Sequence, residues 1–168
     1  IHSGVEAARA EVICTLDGDG QNPPAEIAKL LAKLESRAFP EGVALVAGQR
    51  VGRRDTLSKR WASKAANGIR STLLKDGTRD TGCGLKLFRR DAFLDLPYFD
   101  HMHRYLPALF ASDGWGIVHV DVGHAPRYAG ASNYANLSRA LVGAYDLIGV
   151  AWLIKRRKRA RGAEVTEG

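Results

Sequence analysis

Apolar and polar positions along the chain fall into short blocks with two different periods. Residues 2–9 carry the pattern of a helix end, and residues 11–16, around Val12-Ile13-Cys14-Thr15-Leu16, are β-rich and short enough for a buried strand. Pro23 and Pro24 then open a segment from Ala25 to Leu34 in which Ile27, Leu30, Leu31 and Leu34 form one apolar stripe. Proline at a helix start costs nothing, because the N–H it lacks would have no intrahelical partner. Val43 to Ala47 reads as a second strand, ending in Gly48-Gln49-Arg50. A long helix is expected from Asp55 or Thr56, either of which can cap it, to Leu74. Its Leu57, Trp61, Ala65, Ile69 and Leu73 recur every four residues and are expected to form the buried face. A short strand (Leu85 to Phe88), a short helix (Asp91 to Leu96) and a helix from His103 to Ala111 come next. Gly116 to Val122 completes the series as a strand, alternating His119 and Asp121 with Val118, Val120 and Val122. Strands alternating with helices predict an α/β layer fold.

The last element, from about Tyr134 to Arg159, has a different character. Leu137 to Ile154 is mostly apolar but is interrupted by Ser138, Arg139 and Asp146, whereas a spanning helix needs ~20 predominantly apolar residues. The pattern therefore predicts an amphipathic helix, lying on a membrane surface or packed against the domain or a partner chain. Composition changes this picture at one point. The 168 residues, 45% hydrophobic and 26% charged, suit one domain with a real core. The net charge of +7 is concentrated in Lys155, Arg156, Arg157, Lys158, Arg159 and Arg161, which leaves the rest of the chain at about +1. Such a basic end points to an anionic surface and says little about the fold. An anionic lipid surface, nucleic acid or a merely solvated end would each suit this charge; a nucleic-acid partner would rest on it alone, and none is expected. Cys14 and Cys83 show neither metal spacing nor a disulfide framework; Cys14, inside an apolar run, is expected in the core, and a reducing, cytoplasmic setting fits. The chain shows no signal peptide and opens at Ile1 in helix-like sequence, so an N-terminal part is expected to precede it.

Candidate chemistry begins where the first strand ends, at Asp17-Gly18-Asp19-Gly20-Gln21. Two carboxylates one residue apart can share a site when the backbone turns between them, and glycines make that turn inexpensive. Unpaired they would repel, and one would tend to hold a proton. A hard divalent cation, Mg²⁺ or Mn²⁺, resolves the conflict, since it accepts one or two carboxylates and completes its shell with phosphate oxygens. A plain Asp-Gly turn remains an alternative. An EF-hand loop does not fit, because Gln21-Asn22 stand where Asp or Asn followed by Gly is required, and Ala28 stands where Glu is required. The string Asp17-Gly18-Asp19-Gly20 also resembles the haloacid-dehalogenase phosphatases, in which a Thr or Val succeeds the glycine; Gln21-Asn22-Pro23-Pro24 departs from that pattern.

With Gln21-Asn22-Pro23-Pro24 attached, the strand end resembles the family 2 glycosyltransferases of GT-A fold, most nearly those that act on dolichyl or polyprenyl phosphate. Gly48-Gln49-Arg50 is similar to that family's Gly-Ser-Arg segment, with Gln49 a departure. Arg79-Asp80-Thr81-Gly82-Cys83-Gly84-Leu85-Lys86 resembles its Arg-Asp-x-x-Ser-Gly-Phe-Arg segment, with Cys83 in place of Ser. His124-Ala125-Pro126-Arg127-Tyr128-Ala129-Gly130-Ala131-Ser132-Asn133-Tyr134 is similar to its late His-x-Pro-Arg-x-x-Gly-x-Ser-x-Tyr stretch. The resemblance implies an α/β, GT-A type sheet flanked by helices, N-terminally incomplete and ending in a C-terminal amphipathic helix. It divides the chain into a partial catalytic domain (1–133), that helix (134–159) and a flexible tail (160–168).

The resemblance also implies roles. Asp17 and Asp19 would hold Mg²⁺ or Mn²⁺ with help from Gln21, and Asp80 would be the acid facing the sugar, as base or as hydroxyl ligand. Arg50, Arg60 and Ser63 would receive the acceptor phosphate; on a helix Arg60, Ser63, Lys64 and Asn67 share one polar face. Arg127 and Ser132 would close over the diphosphate. Asp19, Asp80 and Arg127 would thus be the residues closest to the chemistry. The partners implied are a nucleoside-diphosphate sugar, a polyprenyl or dolichyl phosphate and an anionic membrane surface. The reaction implied is inverting transfer of a hexose (mannose or glucose), in envelope glycan biosynthesis, by a protein peripheral to the cytoplasmic face of a membrane. A non-catalytic binding remnant is the alternative. His103 and Arg104 either meet substrate or pair with Asp100 or Asp113 to hold the fold.

Overall fold

A computed structural model of the chain describes residues 1–35, 42–51, 68–123, 125 and 136–157. Four described strands form one mixed sheet: β1 (Val12–Thr15), β2 (Val43–Arg50), β3 (Lys86–Arg89) and β4 (Gly116–Val122), in the order β1-β3-β2-β4. β3 runs antiparallel to both β1 and β2, and β2 runs parallel to β4. It follows that β1, β2 and β4 all end at the same edge of the sheet, the edge at which β3 begins. In open α/β sheets the crevice beyond the carboxyl ends of the strands is where ligands bind.

The period-2 alternation of each strand feeds two cores. Leu45, Ala47 and Phe88 join one, with Val5, Phe93, Leu106, Leu109, Phe110 and Val150; Val46, Leu87 and Val122 join the other, with Leu30 and Leu85. The first core is covered by α1 (His2–Ala7), α3 (Arg90–Leu94), α4 (Leu106–Ser112) and α5 (Asn136–Arg156), and the second by α2 (Glu26–Glu35). This is the α/β sheet with flanking helices that the sequence pattern predicts.

Several elements differ in detail. β2 runs three residues further than its apolar core because Gly48 N–H donates to the Leu85 carbonyl (3.0 Å) and Gly48-Gln49-Arg50 pairs with Val120–Val122. The expected helix over His103 to Ala111 is split into a 3₁₀ turn (Met102–Arg104) and α4, which has proline in its first turn. Cys14 is exposed rather than in the core, since β1 pairs only with β3 among the described strands. Of the long helix expected after β2, only residues 68–74 are among those described. There the predicted face is reversed: Ile69 and Leu73 are 61% and 50% exposed, while Arg70 and Leu74 are buried. The cause is electrostatic. Arg70 Nη1 donates to the buried carboxylate of Asp76 (3.2 Å), and Nη2 pairs with its other oxygen. An isolated buried charge is far costlier than an exposed isoleucine, so the ion pair fixes the rotation of the helix end.

α5 packs on the domain and also keeps an apolar face in solvent. Val150 is buried, Leu147, Ala151 and Ile154 pack beside it, and Tyr105 Oη donates to the Gly143 carbonyl at 3.2 Å. Tyr145, Ile148 and Trp152 are exposed. Arg157, expected among the outward basic residues, turns inward: its Nη2 lies 3.1 Å from Asp113 Oδ2 and donates to the Asp95 carbonyl. No helix among the described residues is long and apolar enough to cross a membrane.

Candidate functional site

The carboxyl edge of the sheet collects most of the charged residues singled out in the sequence. β1 delivers Asp17 two residues past its end, β2 delivers Gln49 and Arg50 as its last residues, and β3 begins with Lys86 after the turn carrying Asp80. Two local contacts lock the acidic loop to that turn. Thr15 Oγ1 donates to the Gly84 carbonyl (2.8 Å), and the Asp17 carboxylate lies directly over Gly84. A Cβ at position 84 would stand 2.2 Å from Asp17 Oδ2 and 2.3 Å from Cγ and Oδ1. Gly84 is therefore glycine because a carboxylate occupies the space of its side chain. Gly82 plays the same part for Arg50, whose Nη2 would be 3.0 Å from a Cβ there.

Asp17 also accepts from Asn22 Nδ2 at 3.4 Å, and it has no ion pair among the described residues. Asp19 Oδ1 accepts from the Gln21 N–H (3.1 Å), an Asx turn supported by the positive φ of Gly20, +76°. The Gln21 carbonyl in turn accepts from Ala125 N–H at 2.9 Å, which ties the acidic loop to the segment after β4. The alternative of an Asp-Gly turn is thus present as well, and the turn serves to shape the loop that holds the two acids. Among the described residues no group of three or more His, Cys, Asp or Glu side chains could hold a metal. A pair of carboxylates on a glycine loop is a donor set for Mg²⁺ or Mn²⁺ completed by water and phosphate oxygens, and it does not suit zinc.

Asp80 and Arg50 form a two-point ion pair. Arg50 Nε and Nη2 donate to the two Asp80 oxygens at 2.6 and 2.8 Å, and the Arg50 backbone N–H adds a 3.3 Å contact. The hydrogen bonds to Asp80 raise the Arg50 pKa above its ordinary value, against the opposing effect of burial. Arg50, expected at the acceptor phosphate, is thereby committed to Asp80, expected at the sugar; the two lie together, and one fixes the other. Gln49, which read as a departure, has a defined job: its Oε1 accepts from the Arg79 backbone N–H (3.2 Å) and Nε (3.1 Å). Arg79 Nη2 then reaches Asp121 Oδ1 at 2.6 Å.

Lys86 is a residue to which the sequence motifs assign no role. It is only 5% exposed, and its Nζ donates to the Cys83 carbonyl. Burial pushes its pKa below the ordinary lysine value, and Arg50 adds to the shift, while the carboxylates of Asp17 and Asp80 oppose it. Lys86 lines a cavity of about 410 Å³ together with Asp17, Gly84, His103, Leu16 and Leu106. The signal available in the sequence was a lysine opening an apolar strand. His103 reaches this cavity and makes neither expected pairing. Asp113 binds Arg157, and Asp100 lies near His101, whose Nδ1 also meets Asp146 of α5 at 3.4 Å. Burial, with Arg104, Lys86 and His101 nearby, lowers the His103 pKa. Arg60, Ser63, Arg127 and Ser132 lie outside the described residues.

The glycosyl transferase family 2 matches residues 1–96, more than half of the chain. A dodecaprenyl-phosphate galacturonate synthase from Rhizobium johnstonii is 30% identical over 162 residues, 95% of this chain and 46% of the relative. An undecaprenyl-phosphate 4-deoxy-4-formamido-L-arabinose transferase from Shewanella sediminis is 35% identical over 136 residues, 80% of this chain and 39% of the relative. The chain thus spans less than half the length of these two proteins. Among solved structures, glucosyl-3-phosphoglycerate synthase from Mycobacterium tuberculosis, with Mn²⁺, uridine-diphosphate-glucose and glycerol 3-phosphate, superposes with a TM-score of 0.63. It shares 17% identity, over 90% of this chain and 52% of that one. That likeness gives the fold, of GT-A type, and the phosphatase alternative falls away. The matched span, residues 1–96, takes in both the acidic loop and the Gly84 turn, and the chain belongs to glycosyl transferase family 2.

Proposed function

We propose that this chain is the part of a sugar transferase that places a divalent metal and the reacting phosphates, in an enzyme that moves a sugar from a nucleoside diphosphate to a polyprenyl or dolichyl phosphate. The observation that carries the reading is the fixed seat of Asp17 on Gly84, beside Lys86 and the Arg50–Asp80 pair. The named activities of the relatives, both on polyprenyl phosphates, support the acceptor class. The donor sugar proposed is a hexose, transferred with inversion.

Asp17 and Asp19 would hold Mg²⁺ or Mn²⁺, with Gln21 contributing a neutral oxygen. The metal, when bound, neutralises charge that develops on the leaving diphosphate. The chain's own residues do the rest by positioning. Thr15 and Asn22 keep the acidic loop in register with the turn at 82–85. Arg50 holds Asp80 in one orientation as a hydrogen-bond acceptor for a sugar hydroxyl. The acceptor is already an anion, so it needs less help from a base than an alcohol would. Arg60, Ser63, Arg127 and Ser132 remain the proposed contacts for acceptor phosphate and closing loop. Placement at the cytoplasmic face of a membrane is part of the same proposal. It is supported by the exposed Tyr145, Ile148 and Trp152 on α5, with Lys155 and Arg156 in its last turn.

The test uses the full-length protein containing this chain. Asp19→Ala is expected to abolish Mn²⁺ binding, read by isothermal titration, and to reduce sugar transfer to a polyprenyl phosphate at least about a hundredfold. Undiminished transfer by Asp19→Ala would refute the reading.

A further inference from the structure

A buried ammonium group is expensive unless its donors and charge are met. Lys86 stands out by this measure. Among the described residues its Nζ makes one hydrogen bond, to the Cys83 carbonyl, and no ion pair. Its other two donor positions find no protein acceptor among the described residues, at 5% exposure. Its neighbours on β3, Leu87 and Phe88, are core residues, so an apolar side chain would suit the strand better. Two other buried or half-buried cations have carboxylate partners: Arg50 has Asp80, and Arg70 has Asp76. Lys86 instead lines a cavity of about 410 Å³ whose polar side chains include Asp17, Thr15, Cys14 and His103, with Ile1, Leu16 and Leu106 among its apolar ones.

We propose that Lys86 is a substrate-binding residue that contacts a phosphate group in this cavity, with His103 as a second donor on the same wall. Phosphate is the chemistry that fits: it offers several acceptor oxygens to a lysine treated as a point charge, and it can bridge to a cation held by Asp17. The phosphate has two sources, the diphosphate of the donor and the phosphate of the lipid acceptor. The inference rests on the sugar-transfer reading for the choice between these sources. The buried ammonium at the cavity wall, without a carboxylate partner among the described residues, stands without it.

The experiment uses titration calorimetry on the full-length protein with two probes: inorganic pyrophosphate with Mn²⁺, and farnesyl phosphate without metal. Lys86→Gln keeps an N–H donor for the Cys83 carbonyl and removes the charge; Lys86→Arg keeps the charge. Lys86→Gln is expected to weaken at least one probe about tenfold or more, and Lys86→Arg to bind it within about threefold of wild type. A loss confined to pyrophosphate assigns the donor's diphosphate, and a loss confined to farnesyl phosphate assigns the acceptor. The melting temperature of Lys86→Met is expected to equal or exceed that of wild type, because a buried charge leaves the interior. Wild-type affinity of Lys86→Gln for both probes, or failure of the wild type to bind either, overturns the proposal. If Asp19→Ala loses Mn²⁺ while Lys86→Gln is silent, the metal reading stands and only the subsite falls; the converse leaves an anion site without the sugar-transfer reading.

Discussion

Gly84→Ala separates the needs of the fold from the needs of the metal loop. The added methyl would lie 2.2–2.3 Å from all three carboxylate atoms of Asp17, where an ordinary contact needs more than 3.4 Å. Position 84 does not have a positive φ, so the backbone itself tolerates alanine. The clash must therefore be relieved by moving Asp17 by roughly 1 Å or more, or by shifting the turn that Thr15 Oγ1 holds at 2.8 Å. Asp17 is exposed, so its side chain has room to rotate off this seat toward solvent and yields first. Overpacking costs about 1–3 kcal/mol in a closed core, and here the lower end applies because one wall can rotate away. A metal ligand displaced by 1 Å is a different matter, since misplacement of that size can cost ~100-fold in function. Urea unfolding is thus expected to show a loss of about 1 kcal/mol, while Mn²⁺ affinity by calorimetry falls at least about tenfold. Gly4→Ala, which meets nothing within 4 Å, is the control and should alter neither. The reasoning is refuted if Gly84→Ala binds Mn²⁺ like wild type, or if it loses more than about 3 kcal/mol of stability, for then the glycine serves the fold.

Two further outcomes are expected. His119 Nε2 sits 3.1 Å from Thr78 Oγ1, and burial lowers its pKa below the ordinary value, Arg79 adding to the shift and Asp76 opposing it. A histidine kept neutral by folding contributes stability that is present above about pH 6.5 and lost as pH falls through its lowered folded-state pKa. Unfolding free energy should therefore decline on acidification below about 6.5, and His119→Gln should flatten that slope without removing the share due to His103, whose shift has the same sign. On α5, replacing Lys155 and Arg156 by Gln should weaken flotation with anionic vesicles by about 1 kcal/mol per charge, and Trp152→Ala should weaken it on neutral vesicles too. Unchanged flotation in both variants would remove the helix from the membrane.

How much of the molecule is legible from its sequence depends on the range of the forces involved. Strands, helices and the flanked α/β sheet can be read because they depend on the period of apolar residues, which is local. The acidic loop can be read because glycines, carboxylates and prolines announce a turn with charge at a strand end. The rotation of the helix end at 68–74 cannot, because it is set by Arg70 meeting Asp76 across the buried side. Cys14 is misplaced for a related reason: its apolar run does not reveal that β1 pairs on one side only among the described strands.

The sequence by itself determined the layers, the order of elements and the residue types at the site. Tertiary structure alone decided who meets whom: that Asp80 is held by Arg50, that Asp17 fills the space over Gly84, that Arg157 turns inward to Asp113, and that Lys86 is a buried cation facing a cavity. The three pairings each join residues 30 or more positions apart, and the fourth turns on burial. A linear pattern records how a segment prefers to fold, but pairing of charges and the space around a glycine exist only once the sheet has brought its strand ends together.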